Sequence, residues 1–447
     1  MYLIVGLLPV FKRLLILVAV FFSSPAICAS IINDTETEQL LNTLVSPLAT
    51  AADIPADRLR IHIVNDTDFN AFVSGGEDVY IYTGLLTQIR TPDALQAVIA
   101  HELGHMTGGH MVQMADRMAA EMRRTMLIQA LGVGLMVAGG NPSLGAGVLA
   151  GSSGVAQQSM LSFTRDEERI ADRMGVDLMI RAGQNPYAFI TVLNQMHDLT
   201  GVLEEGINPN RINHPLTTER LNNVRAHLSD VLDDYSPDKK YTSPHASEYE
   251  MVRAKLVGYL DAPSHVLELY PYTDKSNPAL YARAIANMRG GDLATARTGV
   301  QTLIHRMPNN PYLYELLGDI DYQFGHYDDS ITAYERALEL TSNAPQIETA
   351  LALVLTERNK PTDTTRAIEL CKRSLLSSPM PLTYWVLARA YGDADFGRHA
   401  WAMAEFYNMN GRKSEAKKYA RRAQQKLKKT DPEYIKAGDI LAESISD

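Results

Sequence analysis

Cysteine is scarce in this chain, with two in 447 residues, Cys28 and Cys371. The first lies in an amino-terminal stretch that reads as an export signal. Lys12 and Arg13 precede the apolar run LLILVAVFF, and SSPAICAS then supplies the small residues a signal peptidase cuts beside. Cleavage after Ala29 fits, with Ile27 and Ala29 at the recognition positions, whereas Ile27 is too bulky to precede a lipidated cysteine. Cys371 is then the one cysteine of the mature chain, which excludes an intramolecular disulfide even in an oxidising compartment. Stability must come from packing.

An excess of positive charge is also missing. A net charge of -10, with 46% hydrophobic and 21% charged residues, describes a soluble, mildly acidic globular protein and argues against nucleic-acid binding. Long hydrophobic runs are lacking after the leader. The glycine-rich stretch 126–155 is apolar, but Asn141-Pro142 interrupts it well short of the roughly 20 residues that span a bilayer. It reads as a packed hairpin, or as a segment in peripheral contact with lipid or an unfolded apolar substrate.

The length exceeds one ordinary core, so two folded units are expected. Residues 30–235 mix strands and helices. RLRIHIV places Leu59, Ile61 and Ile63 on one face, and EDVYIYTG reads as a second strand entered through the Gly75-Gly76 turn. Thr91 as N-cap, Pro92 at the first helical position and Asp93 in the first turn start a helix. The polar, proline-containing stretch 229–248 marks a boundary. The expected divisions are a signal peptide at 1–29, a first domain at 30–235, a linker and leading helix at 236–261, and a second domain at 262–447.

That second domain is periodic. Leu280/Tyr314, Ala284/Gly318, Gly291/Gly325 and Ala296/Ser330 each recur at 34 residues, the tetratricopeptide period. Weaker copies follow around 367–379 and 407–423, on either side of an irregular YGDADFG. Such repeats stack into a helical solenoid whose concave face binds a peptide or partner. The fold class expected is therefore α+β, a mainly helical domain with a small sheet followed by an all-α solenoid. Residues 412–429 carry nine basic side chains against one acidic, either a solvated helix face or a docking patch for an acidic partner.

The chemistry concentrates in LQAVIAHELGHMTGGHM, residues 95–111. Histidines four apart on a helix project to the same side, so His101 and His105 can share one metal ion. Glu102 is turned away from that ligand face, which suits a general base beside a zinc-activated water. A third ligand at the end of an HExxHxxGxxH pattern is excluded, because position 111 is Met and His110 falls one residue short. In SFTRDEERIADRMGVDLM, Glu168 alone of three consecutive acids has a carboxylate four residues on, Asp172. Glu168 completes a two-histidine, one-glutamate zinc site in this reading, and Asp172 fixes an imidazole tautomer. Ala171 is small enough to let the two helices approach closely.

HExxH followed after some sixty residues by ExxAD resembles the HtpX-like gluzincin metallopeptidases, as does NAFVSGGEDVYIYTGLL at 70–86. The resemblance implies a zinc endopeptidase domain with one Zn2+ per chain, held by His101, His105 and Glu168, with Glu102 and Asp172 in catalysis. It extends to NHPLTTER, where His214 and Arg220 match a downstream His-Pro segment. His214 then either caps the zinc in a resting state or stabilises the oxyanion. The order of signal, peptidase and repeats resembles exported members that degrade misassembled outer-membrane proteins in the periplasm and assist their assembly, with the repeats contacting the assembly machinery. A chaperone or adaptor acting through the repeats, its peptidase site latent, is the competing reading. Substrate is expected to add as a strand along DVYIYTG.

Overall fold

A computed structural model describes residues 30–55, 58–74, 78–109, 164–203, 218–233 and 243–442, together with 236. The export signal, the Gly75-Gly76 turn, His110, the 126–155 segment and His214 lie outside the described residues.

The first unit opens with strand β1 (Ser30–Ile32) and helix α1 (Thr35–Ala51), followed by β2 (Arg60–Asn65), β3 (Ala71–Ser74) and β4 (Asp78–Tyr82). The short α2 (Thr83–Gln88) leads to α3 (Pro92–Thr107), which carries the two histidines of HExxH. Thr91 caps α3 as expected, its hydroxyl accepting from the Ala94 amide at 3.3 Å. Helices α4 (Arg165–Arg181), α5 (Ala188–Leu203) and α6 (Thr218–Val231) complete the unit.

The four strands order as β1-β2-β4-β3, with β2 and β4 parallel and the other pairs antiparallel. Strand addition along DVYIYTG is therefore excluded, because β4 is hydrogen-bonded on both sides. Among the described residues the sheet edge beyond it is β3, a four-residue strand too short to show an alternating pattern. The register shows which β3 groups face outwards. Asn70 accepts from the Tyr82 amide at 3.1 Å, and Phe72 and Ser74 pair with Tyr80 and Asp78. In an antiparallel ladder hydrogen-bonded and open pairs alternate, so Ala71 and Val73 turn their backbone groups to the edge.

Leu41, Leu44 and Leu48 of α1, Ile63, Val79 and Ile81 of the sheet, and Leu95, Ile99 and Leu103 of α3 form one core with Val176 and Met179 of α4. Within it α3 and α4 lie against each other at two glycines. A Cβ on Gly104 would stand 2.6 Å from the Ala171 carbonyl oxygen, and one on Gly175 would stand 3.1 Å from that of Ala100. Ala171 is small, as expected, but the contact also requires Gly104 opposite it.

Helix α7 (Ala246–Leu260) packs on both sides. Tyr249, Val252 and Leu256 join the first core, while Met251 enters the core of the repeats. After the short α8 (Pro263–Leu269) the helices run in antiparallel pairs: α9 (Asn277–Arg289) and α10 (Leu293–Arg306), α11 (Pro311–Gln323) and α12 (Tyr327–Leu340), α13 (Pro345–Arg358) and α14 (Asp363–Ser377). Helices α15 (Pro381–Tyr391), α16 (Phe396–Met409), α17 (Lys413–Lys426) and α18 (Pro432–Ala442) continue the stack. The turn inside each pair needs a left-handed residue. Gly291, Gly325 and Asn359 stand there 34 residues apart, with φ of 87°, 76° and 54°. Asparagine tolerates this conformation, which is why the third repeat lacks the glycine that marks the first two. Cys371 is buried in the stack, and burial pushes its thiol up to about 12, so it is an inert packing residue.

The Gly104 contact is the most direct test of the helix packing. Gly104→Ala is expected to destabilise the protein by about 1–3 kcal/mol through overpacking. Thermal unfolding checks the loss, and an unchanged midpoint would show that the helices do not meet there.

Candidate metal centre and active site

Helix α4 sorts its three leading acids by position. Asp166 pairs with Arg169 on the surface at 3.0 Å. Glu167 closes a capping box with Thr164, its carboxylate accepting from the Thr164 amide at 2.8 Å. Glu168 is left to turn inwards, with Asp172 one turn further on, and both are buried. That is the register the sequence predicts.

The inward groups converge on α3. His101 Nε2 and His105 Nε2 lie 3.1 Å apart, and each lies 3.4 Å from an oxygen of Glu168. The two 3.4 Å contacts go to different oxygens of Glu168, and one ligand atom from each of the three residues lies within 4.8 Å of the others, close enough to share one ion. The two imidazole rings meet edge to face at 83°, which lets both nitrogens point at one place. His101 presents its other nitrogen, Nδ1, to Asp172 Oδ1 at 2.9 Å. With one proton held on Nδ1 by that carboxylate, Nε2 is the nitrogen that can give up its proton to an ion at the centre. Among the described residues, Asp321, His326 and Asp329 in the repeats form the other group close enough to share an ion. There Arg297 already pairs with Asp321 at 2.6 Å.

Three buried carboxylates around two histidines call for a cation, and Arg220 of α6 supplies it. Its Nε and Nη2 donate to Asp172 at 2.9 and 2.8 Å, and Nη1 lies 2.8 Å from Glu168 Oε2. Arg220 lies in the NHPLTTER segment, where no local pattern marks it as a partner of these carboxylates. Counting charge would have asked for a cation, without saying which of 42 to choose. Burial pushes Asp172 up, but Arg220 and His101 outweigh it and hold the carboxyl below its usual range. Burial likewise pushes His101 down, and the Asp172 and Glu168 carboxylates more than reverse this, holding it at about 9.

Glu102 lines a mainly apolar cavity with His101, Asn70 and Ala71 at the β3 edge, and Phe189, Val192, Leu193 and Met196 of α5. The Glu102 carboxylate, the His101–His105–Glu168 cluster, strand β3 and an apolar recess thus adjoin one space.

Residues 35–228 match the model of peptidase family M48. With that match and this site, the protein is a metallopeptidase whose catalytic unit is joined to a helical array. It is similar to the beta-barrel assembly-enhancing protease of Yersinia pestis, at 25% identity over 81% of this chain and 74% of that one. The protein of the same name from Escherichia coli (strain K12) is 26% identical over 74% of this chain and 68% of its own. The mitochondrial metalloendopeptidase OMA1 of Schizosaccharomyces pombe is 26% identical over 38% of this chain and 47% of its own. Among solved structures, a tetratricopeptide protein of Thermus thermophilus overlaps 43% of this chain and 93% of its own at 18% identity, with a TM-score of 0.25. The array is defined by its own paired helices and 34-residue period.

Metal uptake tests the ligand cluster. Because His101 holds a proton up to about 9 in the metal-free chain, a metal ion must displace it. Zinc binding is expected to release protons near pH 7.5 and to strengthen as pH rises. Calorimetry in buffers of different ionisation enthalpy measures the release, and uptake without protons would contradict the assignment. Glu168→Gln is expected to lower zinc affinity by at least about 10–100-fold, the range seen when only supporting groups are lost.

Proposed function

We propose that the protein is a zinc-dependent endopeptidase with His101, His105 and Glu168 as its metal ligands and Glu102 as its general base. The observation that carries this reading is the convergence of His101, His105 and Glu168, whose ligand atoms all lie within 4.8 Å of one another, beside Glu102. When bound, zinc supplies Lewis-acid polarisation of a carbonyl and lowers the pKa of water. Glu102 takes the proton of the water that attacks the scissile carbonyl and delivers it to the departing amine. Asp172 holds the His101 tautomer, and Arg220 holds Asp172 and Glu168 in register.

The substrate runs along β3, pairing its backbone with the outward groups of Ala71 and Val73. An apolar side chain beside the scissile bond enters the recess between Val98 of α3 and Val192, Leu193 and Met196 of α5. Backbone pairing reads no particular sequence, so cleavage is broad and favours extended, unfolded chains. The relatives named for beta-barrel assembly support substrates among misfolded or misassembled outer-membrane proteins, encountered in the periplasm, with the repeats contacting partner proteins.

Glu102→Gln is expected to bind about one zinc per chain while cleavage of an unfolded outer-membrane protein falls by at least about 10²-fold, the lower end of what general base catalysis contributes. Retained zinc with undiminished cleavage would sink the assignment of Glu102. Pairing with β3 is tested separately. A substrate peptide N-methylated at the amide facing Val73 is expected to be cleaved about tenfold more slowly, the value of one hydrogen bond. Equal rates for the methylated and parent peptides would argue against strand addition.

A further inference from the structure

The leading helices of the repeats contact a segment of the same chain. Helix α1 belongs to the peptidase core, yet its first turn reaches across to the leading helices of three successive repeats. Tyr281 of α9 donates to Glu36 Oε2 at 2.9 Å, and Tyr312 of α11 donates to Gln39 Oε1 at 2.6 Å. Gln346 of α13 is hydrogen-bonded to the Thr35 hydroxyl. These partners are not scattered. Tyr312 and Gln346 stand 34 residues apart, at one register position of adjacent repeats, and Tyr281 stands 34 before Glu315, which flanks the same contact. A solenoid reads an elongated ligand with equivalent positions of consecutive repeats, and α1 is read that way.

The anchor of this contact is Lys255 of α7. Its ammonium lies 2.5 Å from Asp34, 3.2 Å from Glu36 and 3.7 Å from Glu315, and its side chain is 7% exposed. It also sits 5.4 Å over the Tyr312 ring. Asp34 is at the same time the N-cap of α1, accepting from the Thr37 amide at 2.9 Å. The groove thus recognises a helix start with acidic side chains, and one buried cation closes it.

The far end of α1 is fixed elsewhere. Leu41, Leu44, Val45 and Leu48 are buried in the peptidase core, and Gln96 of α3 donates to the Leu44 carbonyl at 2.9 Å. Five residues after Gln96 on the same helix comes His101. Thr35 and Leu44 lie nine residues apart on this helix, about 14 Å, and Pro47 follows both, so an uninterrupted helical segment joins the repeats to the helix that bears the two histidines.

We propose that α1 is a coupling helix: the concave groove holds its acidic first turn as a resident ligand through Lys255, Tyr312 and Gln346. The state of that groove is thereby transmitted to α3. A partner segment that takes the groove must displace the first turn of α1, and the disturbance reaches the metal-site helix through the Leu44–Gln96 contact.

Hydrogen exchange by mass spectrometry on the full chain tests this without requiring turnover, so its outcome is independent of whether the chain cleaves peptides. Two variants loosen the groove end alone. Lys255→Met removes the cation, and Tyr312→Phe combined with Gln346→Ala removes the two register contacts while leaving every buried charge paired. Amides in the first half of α1 are expected to exchange about tenfold faster in Lys255→Met and about threefold faster in the double variant, with faster exchange also in α3 and none in α15–α17. Trp385 and Trp401, the two tryptophans of the chain, report whether the distal repeats remain folded. Should Lys255→Met lose that signal, the double variant decides. Exchange in α1 within about twofold of the parent would overturn the docking. Faster exchange in α1 with α3 unchanged would overturn the coupling.

Discussion

The approach of α3 to α4 at Gly104 and Ala171 is the constraint on which the rest of the first unit depends. Two histidines on one helix and two carboxylates on another can meet only if the backbones come closer than ordinary side chains permit. Gly104 opposite Ala171, and Gly175 opposite Ala100, leave that space. The consequence is a set of ligand atoms close enough to share one ion, formed by rigid helices whose ends are capped by Thr91 and by the Thr164–Glu167 box. Because the cluster is preformed, an ion entering it meets nitrogens and oxygens already turned inwards.

Close packing creates an electrostatic strain that α6 relieves. Glu102, Glu168 and Asp172 are all buried beside His101 and His105, where uncompensated negative charge is strongly unfavourable. Arg220, itself buried, bridges Asp172 and Glu168. One guanidinium therefore links the carboxylate that orients an imidazole to the carboxylate proposed to ligate the metal. Its planar fork serves two acceptors at once, a geometry that lysine cannot reproduce.

The junction between the units follows the same logic, again with one cation among several carboxylates. Lys255 stands among Asp34, Glu36 and Glu315, contributed by two different helices and a cap. The peptidase core and the array share α7, whose Tyr249 and Met251 point into different cores. The histidine–carboxylate cluster and the helical array are thus carried on elements that touch through α7.

Much of this was legible in the residues. The start of α3, the ligand face of HExxH, Glu168 rather than its neighbours, and the 34-residue period all follow from local rules: capping, the 3.6-residue turn and repeat spacing. Those rules act within a few residues, or between copies of one unit, so they leave a trace along the chain. What they do not contain is pairing between distant segments. DVYIYTG reads as a strand from its alternation, but whether it is an edge depends on where β3 folds, and β3 is too short to show a pattern. Arg220 is one arginine among many until α6 packs against α4. Asn359 takes the place of a glycine and hides the third repeat, although its backbone adopts the same left-handed turn. Glu36 and Lys255 look like surface charges, since their burial arises only when α1 meets the repeats. The sequence by itself determined the secondary elements, the reactive motif and the repeat period. Tertiary structure decided the order of the described strands, which cation neutralises the carboxylates and where α1 meets the repeats, because those depend on contacts between separate segments, 48 residues apart for Arg220 with Asp172 and 311 for Thr35 with Gln346.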